Sequence, residues 1–289
     1  MSIPRIFDRR LYAQRRARAR ESFLAADVGE NLAQRLGAVN RRFTRALDLN
    51  SRTEVFEAIK PFASHWTRTS PGSGAIVADE EALPFAEESF DLVVSALSLH
   101  AVNDLPGALA QIRRVLKPDG LFLAALFGGA TLAELRAAFA TGESEVLGGI
   151  SPRVAPMADV RDLGGLLQRA GFALPVADSE KTTVRYGAFT TLVDDLRALG
   201  ETNALAERMK YVLRRDVLAA TLAAYAAHSA DEDGRLSATF EVIYLTAWAP
   251  HESQQTPLRP GAARTRLADA LHTEEHSAGE RAGPKPEDA

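Results

Sequence analysis

The chain of 289 residues contains no cysteine. This absence excludes disulfide bonds, thiolate metal sites and a cysteine nucleophile, and it favours a reducing compartment. Long apolar runs are also absent. One of the longest, GLFLAALFGGA, is well below the roughly 20 residues that a membrane-spanning helix requires. Because 46% of the residues are hydrophobic, the composition predicts a soluble globular protein with a substantial core.

The charge is low overall but unevenly distributed. A formal net charge of -4 and a pI near 5.9 argue against general nucleic-acid binding. Residues 1–20 nevertheless carry seven arginines against one acid, Asp8. They form either a solvated helix face or a surface that docks an acidic partner or an anionic membrane. Because the N-terminus lacks a secretory apolar core, we expect the bacterial cytoplasm, with peripheral contact to the inner membrane.

Glycine is absent from the stretch TRALDLNSRTEVFEAI, residues 44–59. The stretch begins like a buried strand and continues as an amphipathic helix. Nucleotide-binding α/β proteins carry glycines at such a junction, because the backbone turns sharply there and passes close to the ligand. This junction therefore decides whether the chain still binds a nucleotide-like cofactor.

Apolar runs alternate with helical patterns along most of the chain. The runs GAIVAD, FDLVVSAL and GLFLAALF predict strands that end at Asp79, Leu97 and Phe127. Because they are apolar throughout, we expect helices on both faces of the sheet. The fold class is α/β with a doubly wound, mostly parallel sheet. We divide the chain into an N-terminal helical extension (1–42), a main domain (43–250) with a helical cap near 187–230 between the late strands, and a flexible tail (251–289).

Polar residues follow the predicted strands, where ligands lie in open α/β sheets. They are Asp48, Asp79 and the segment from Ser95 to His100, although each also suits an ordinary surface loop. His100 and Asp104 are the best polar pair facing this edge. Glu201, Asn203 and Tyr186 belong to the cap region. The cap residues also suit helix capping, and His100 also suits a structural role.

Three motifs resemble class I S-adenosylmethionine-dependent methyltransferases: ALDLNS, ADEEALPFAEESFDLVVSALSLHAVNDL and VLKPDGLFLAALFGG. The resemblance implies a Rossmann-like fold and S-adenosylmethionine as the cofactor. The residues that it assigns to cofactor binding are Asp48, Asn50, Asp79, Glu80, Leu83 and Ser95. Among these, Leu83 suits the core better than it suits ligand contact.

A resemblance to one family covers nearly the whole chain. IFDRRLYAQRRARA, DDLRALGETNAL and HESQQTPLRPGAA are similar to the assembly factor five family of respiratory complex I. That family is in turn similar to the malonyl-carrier-protein methyltransferases of the biotin pathway. The resemblance implies a protein substrate, a peripheral subunit of NADH-quinone oxidoreductase, and modification of an arginine during its assembly.

The chain departs from the superfamily pattern in three places. The expected D-x-G-x-G-x-G has no glycine in residues 48–54. The acid that pairs with the cofactor ribose, expected about 20 residues beyond the loop, is missing, because no Asp or Glu lies between Glu57 and Asp79. Only Pro71 to Gly74 separates WTRTS from GAIVAD, too few residues for a parallel crossover. Either the second strand is lost or very short, or the helix after it is deleted.

Two hypotheses follow. The first is an S-adenosylmethionine-dependent enzyme of the assembly-factor family that modifies a protein side chain. The second is a non-catalytic assembly or binding protein that kept the fold and lost the cofactor. We expect no metal, because the histidines other than His100 show no metal-ligand spacing.

Overall fold

The structure is a computed structural model that describes residues 5–70, 76–255 and 267–273. Met1–Glu252 forms one compact unit, and Ser253–Ala289 forms a second. The strands are β1 (Phe43–Asp48), β2 (Ala63–Arg68), β3 (Phe90–Ala96), β4 (Leu116–Phe127), β5 (Ala173–Tyr186) and β6 (Leu236–Trp248). The helices are α1 (Arg9–Arg16), α2 (Phe23–Ala38), α3 (Thr53–Ile59), α4 (Leu105–Val115), α5 (Ala133–Leu147), α6 (Val160–Arg169), α7 (Phe189–Leu199), α8 (Arg215–Ser229) and α9 (Leu267–Leu271).

The six strands form one sheet in the order β2-β1-β3-β4-β6-β5. The first four strands are parallel, and β6 runs antiparallel between β4 and β5. The chain leaves β1 outward to β2 and then returns to β3 on the other side of β1, so the strand order reverses between β1 and β3. The predicted doubly wound, mostly parallel sheet is confirmed. Helices α7 and α8 connect β5 to β6, where the cap was expected.

Helices cover both faces of the sheet. One apolar cluster joins α2, α3, α5, α7 and α8 to the first face. A second cluster joins α4 and α6 to the opposite face. Helix α4 illustrates how a helix covers the sheet with one apolar face. Its residues Ala108, Leu109, Ile112 and Val115 recur at helical spacing and are all fully buried. The inner strands β3 and β4 are therefore buried on both sides, as the apolar runs FDLVVSAL and GLFLAALF predicted, whereas the edge strands β2 and β5 consist almost entirely of half-buried or exposed residues.

The N-terminal segment is divided into two helices. Helix α1 ends at Arg16, and α2 begins at Phe23 after a short irregular link. Leu32 and Leu36 of α2 are buried, as their spacing predicted, while Val39 packs at the margin of the same core. The predicted extension thus packs on the same sheet as the rest of the unit.

The predicted strand GAIVAD is wrong. The described residues between β2 and β3 make two isolated bridges, Ser70 with Val77 and Asp79 with Ala82, and none of these residues is helical. The first two residues of the run, Gly74 and Ala75, lie outside the described residues. A parallel neighbour needs a crossover of a dozen or more residues, and this connection is too short to supply one. Of the two alternatives left by the sequence, β2 is retained with six residues, and the described segment after it has no crossover helix.

Helix α9 lies within the predicted tail, of which residues 256–266 and 274–289 are outside the described residues. Across the described ranges, every helix is too short or too polar to cross a membrane.

Candidate functional site

The carboxyl end of β1 is occupied by a buried ion pair. Asp48 is fully buried, and its Oδ2 accepts a hydrogen bond from Arg68 Nε at 2.9 Å. Its Oδ1 accepts from the Ser51 amide at 3.2 Å. Burial raises the pKa of Asp48 above its usual value, although Ser51 and Arg68 both act to lower that pKa. Arg68 ends β2 and thus stands near the position where the ribose acid was expected.

Asn50 fills the crevice beside this pair. It has a φ of 60°, the left-handed conformation that asparagine tolerates better than most residues. Its amide donates to Thr69 Oγ1 at 3.1 Å, and the Thr69 hydroxyl donates back to Asn50 Oδ1 at 3.0 Å. Its Nδ2 reaches the Ala78 carbonyl oxygen at 3.4 Å. The side chain therefore joins the end of β2 to the segment before Asp79.

Arg52 closes the other side of the same loop. Its buried guanidinium donates from Nη1 to the carbonyl oxygens of Ala198 at 2.9 Å and Leu199 at 3.0 Å. Nη2 donates to the carbonyl oxygen of Arg20 and to Glu54 Oε1. These contacts fasten the loop to the end of α7 and to the link between α1 and α2. The guanidinium thus satisfies four protein acceptors at a place where the superfamily pattern has glycine.

One face of α1 lies across the ends of β1 and β3. Arg9, Tyr12 and Arg16 recur at helical spacing and all point toward the sheet. Arg9 donates to the Ala101 carbonyl oxygen at 3.0 Å, and Arg16 Nη2 donates to the Asn50 carbonyl oxygen at 2.7 Å. Helix α1 therefore contacts the chain at the point where the strand order reverses.

Arg9 also holds the acidic pair that follows the crevice. Its Nη2 contacts Asp79 Oδ1 at 3.1 Å and the carboxylate of Glu80. Glu80 is completely buried and also accepts from the Ser98 hydroxyl. Leu83 is buried in the second apolar cluster. Ser95 is buried in β3, and its hydroxyl has no hydrogen-bond partner among the described residues.

S-adenosylmethionine does not fit this arrangement. The side chains of Asn50 and Arg52 occupy the loop that would have to approach the cofactor. Arg68 ends β2 and Thr69 follows it, so a cation and a hydroxyl stand near the expected ribose carboxylate. Asp48 is already paired with Arg68. In this conformation the crevice is filled by protein groups that bond to one another.

An apolar cavity of about 340 Å³ lies beside the crevice, between the sheet, α5 and the cap. Its polar lining includes His100, Glu201, Asn203 and Arg153. At one wall His100 Nε2 lies 3.0 Å from Glu201 Oε2. The apolar residues that line the cavity include Phe127, Leu132, Leu135, Phe139, Phe189, Leu196 and Phe240. The cavity has room for one long side chain whose polar end would face the His100–Glu201 pair.

Glu201 interacts with three side chains at this wall, those of His100, Tyr12 and Arg16. Its Oε1 lies 2.9 Å from the Tyr12 hydroxyl, and Arg16 Nη1 is 3.7 Å away. Burial acts to raise the pKa of Glu201, but His100, Arg16 and Tyr12 together hold that pKa below its usual value. Burial and the negative Glu201 raise the pKa of the Tyr12 phenol well above its usual value. Glu201 is thus a carboxylate, and Tyr12 a neutral donor.

One nitrogen of the His100 imidazole, Nε2, is hydrogen-bonded to Glu201. A neutral ring that donates Nε2–H to Glu201 leaves Nδ1 as an acceptor. Nδ1 is buried and has no hydrogen-bond partner within the described ranges. The ring packs against Phe127 with centroids 5.0 Å apart. Nδ1 is thus available to a ligand, as an acceptor when the ring is neutral and as a donor when the ring is charged.

Three of the five catalytic candidates come together at the cavity: His100, Glu201 and Asn203. Asn203 also has a structural role: its Nδ2 donates to the Pro152 carbonyl oxygen at 2.8 Å and so joins the cap loop to the segment after α5. Asp104 caps α4 by accepting from the Gly107 amide at 2.8 Å, and it does not line this cavity. Tyr186 is buried at the end of β5, also outside the cavity lining.

The contributions of Arg9, Tyr12 and Arg16 were not foreseen as site contacts. Their spacing of three and four residues on a predicted helix is the signal that places them on one face. Exposed arginines of the N-terminal segment include Arg10 and Arg18. The described residues contain no cluster of three or more His, Asp or Glu side chains that could hold a metal ion.

Comparison with known proteins agrees with this fold. A methyltransferase domain family matches residues 34–124. The chain is 40% identical to the zebrafish (Danio rerio) protein named arginine-hydroxylase NDUFAF5, mitochondrial, over 86% of this chain and 81% of that protein. The chain belongs to the NDUFAF5-like family of methyltransferase-fold proteins. The human protein of the same name is 41% identical over 83% of this chain and 74% of its own length.

This NDUFAF5-like chain also resembles the malonyl-[acyl-carrier protein] O-methyltransferase of Xylella fastidiosa (strain M23), with 35% identity over 80% of this chain and 75% of that enzyme. Among solved structures, a putative methyltransferase from Bacillus halodurans C-125 superimposes with a TM-score of 0.52 at 17% identity, covering 76% of this chain and 97% of that one. At that identity the structural likeness shows the fold alone.

Proposed function

We propose that this chain is an assembly protein of NADH-quinone oxidoreductase that binds a segment of a peripheral subunit at the apolar cavity without using S-adenosylmethionine. One observation carries the proposal. The buried Arg52 guanidinium bonds to Ala198, Leu199, Arg20 and Glu54 within the loop that would otherwise approach the cofactor. Membership of the NDUFAF5-like family supports the role in assembly.

The cavity supports the kind of group that would be bound. Its apolar walls suit an aliphatic stem, and its polar end carries the Glu201 carboxylate and the His100 Nδ1 acceptor. The Glu201 carboxylate is a hydrogen-bond acceptor, as is Nδ1 of a neutral His100 ring, and a guanidinium group has only donors. An arginine side chain of the partner therefore matches the cavity, in keeping with the name of the relatives. For this role the chain would work in the bacterial cytoplasm beside the inner membrane.

Calorimetry tests the cofactor half of the proposal. Full-length protein titrated with S-adenosylmethionine and S-adenosylhomocysteine up to millimolar concentration is expected to release no heat, while a cofactor-binding methyltransferase serves as the positive control. Micromolar binding that disappears in the Asp79→Ala variant would contradict the proposal.

The assembly half needs a cellular test. Cells that lack the gene are expected to accumulate incomplete NADH-quinone oxidoreductase on native gels, and the wild-type gene should restore the complete enzyme. If the gene is dispensable for this enzyme, the assembly role is wrong, whatever the calorimetry shows.

An S-adenosylmethionine-dependent enzyme of the same family is the second candidate. It is favoured by two buried polar atoms near the crevice that have no hydrogen-bond partner among the described residues, Ser95 Oγ and Arg16 Nη1. Unpaired buried polar atoms are costly and often mark a ligand position. Cofactor binding in the calorimetric test would select this candidate, in which a protein side chain is the methyl acceptor.

A further inference from the structure

The cap loop, residues 200–214 between α7 and α8, carries large apolar side chains into solvent. Tyr211 is 84% exposed and Val212 is 93% exposed, and Met209 is also exposed. Single exposed apolar residues are common, but three within four positions of one loop are not explained by the fold. Tyrosine and methionine are also enriched in protein interfaces.

The base of this loop is firmly held. On one side Phe7 forms an antiparallel bridge with Leu205, and the Ala206 amide donates to the Ile6 carbonyl oxygen at 2.8 Å. On the same side of the tip, Arg208 contacts Asp8 at 3.4 Å, so the arm of the loop that precedes the tip is the anchored one. The loop tip therefore projects from an anchored base, so that docking there would order few additional residues and cost little conformational entropy.

The tip is continuous with the apolar cavity. Leu213, next to Val212, lines the cavity. Arg153 also lines it, and its Nη2 lies 3.7 Å from the Met209 sulfur. Arg153 is in turn fixed by the buried carboxylate of Glu143. A partner segment seated on the tip would thus be positioned to extend one side chain into the cavity.

The charge of the tip indicates the chemistry of the partner. Residues 207–216 carry four basic and two acidic side chains. Arg208 pairs with Asp8 and Arg214 pairs with Asp216. Among the described residues, Lys210 and Arg215 have no ion-pair partner, and neither has the exposed Glu207, so the unpaired groups carry one net positive charge. The two cations flank the exposed Tyr211 and Val212 in the sequence. Such a surface is complementary to carboxylates placed between aliphatic side chains.

We propose that the tip formed by Met209, Tyr211 and Val212, with Lys210 and Arg215, is the docking surface for an acidic, aliphatic segment of the partner protein. The proposal rests on the proposed function, because it names where the partner binds. A peptide segment suits the tip better than an anionic membrane does. Two unpaired cations attract an anionic membrane only weakly, and a flat membrane would leave the adjoining cavity without an occupant.

A peptide array tests the proposal. Short overlapping synthetic peptides that cover the peripheral NADH-quinone oxidoreductase subunits of the same organism are probed with the full-length protein. The peptides that bind are expected to be acidic and aliphatic. The double variant Tyr211→Ser, Val212→Ser should weaken their binding by about ten-fold or more without lowering the melting temperature, because both side chains are exposed.

Two variants make the result specific. Val176→Ser removes the same methyl groups from an exposed position on β5 and should leave binding unchanged. The charge reversal Lys210→Glu, Arg215→Glu should move the preference from acidic to basic peptides. Binding without charge preference, unaffected by any of these changes, would overturn the proposal.

The remaining outcomes also decide the question. If no peptide binds, and sedimentation with phosphatidylserine vesicles is lost in the Tyr211→Ser, Val212→Ser variant, the tip is a lipid contact and the proposal is wrong. Failure of the proposed function is seen separately, as normal enzyme assembly in cells without the gene. If deletion blocks assembly but the tip variants still support assembly and bind peptides like the wild type, only the docking surface is refuted.

Discussion

Arg68 donates from Nε to Asp48 Oδ2 at 2.9 Å and thereby joins the carboxyl ends of β2 and β1. Asp48 is fully buried, whereas Arg68 is partly exposed. The acid that the sequence marks as the start of a cofactor loop is therefore a structural partner of the neighbouring strand. In this chain the same pair also places a cation near the expected ribose position.

The first prediction concerns this pair. Because burial raises the pKa of Asp48, the folded protein holds that proton more tightly than the unfolded chain does. The contribution of Asp48 to stability is thus complete below its ordinary pKa of 3.8 and declines as the pH rises through the raised folded pKa.

Asp48→Asn should flatten this decline and change neutral-pH stability by less than about 1 kcal/mol. Urea unfolding across the pH range, with the exposed Glu87→Gln as control, measures it. A loss that grows toward neutral pH would contradict the expectation.

The second prediction concerns Arg52. Arg52→Ala leaves the Glu54 carboxylate and three carbonyl oxygens without their shared donor. We expect a loss of about 3 kcal/mol or more in the free energy of unfolding, because one partner of a buried pair is removed. The exposed Arg45→Ala should change stability by no more than about 0.5 kcal/mol. Equal effects of the two substitutions in urea unfolding would show that Arg52 does not fasten the loop.

The third prediction uses two glycines with similar backbones. Gly200 and Gly148 end helices with φ of 80° and 69°. A Cβ at Gly200 would lie 3.1 Å from Arg16 Cα, whereas one at Gly148 would have no neighbour within 4 Å. Gly148→Ala should cost about 1 kcal/mol of left-handed strain. Gly200→Ala should cost a further 1–3 kcal/mol, by rough analogy with overpacking.

Hydrogen exchange separates these effects. Gly200→Ala should speed amide exchange in α1, because the new methyl group pushes this helix away from the strand ends. Gly148→Ala should leave exchange in α1 unchanged. If both variants behave alike, close packing at Gly200 does not hold α1 in place.

The fourth prediction concerns Glu201. Its pKa is lowered by His100, Arg16 and Tyr12 against the effect of burial. The resulting stability is present above the ordinary pKa of 4.5 and is lost as the pH falls through the lowered folded pKa. Glu201→Gln should cost about 3 kcal/mol at neutral pH and remove this part of the acid sensitivity. The exposed Glu207→Gln is the control. An unchanged acid profile in Glu201→Gln, measured by urea unfolding, would contradict the assignment.

The sheet and its helices could be predicted well because they depend on local pattern. Apolar runs such as FDLVVSAL become β3, and the periodic residues of α4 form its buried face. The run GAIVAD, which was wrongly predicted to be a strand, is also mostly apolar. It fails because strand formation also requires a neighbour, and the short connection from β2 provides no route to one. The apolar pattern alone does not reveal this requirement, but the length of the connection from β2 does.

The candidate site was only partly predictable. Asp104 and His100 are four positions apart, yet Asp104 caps α4 while His100 contacts Glu201, 101 positions later in the chain. Tyr186 and Glu201 both belong to the cap region, but only Glu201 reaches the cavity. Long-range partners decide these roles, and nothing in the local sequence names a partner.

By itself the sequence determined the doubly wound fold, the family resemblance and the loss of the glycines after β1, since composition, periodicity and motif letters are local properties. Only the tertiary structure decided what replaced those glycines. Asn50 and Arg52 each have several conformations open to them in isolation. Their places in the crevice are set by the Thr69 hydroxyl just after β2, by the Ala78 carbonyl oxygen before Asp79 and by carbonyl oxygens at the end of α7. Only folding brings these groups within hydrogen-bond distance.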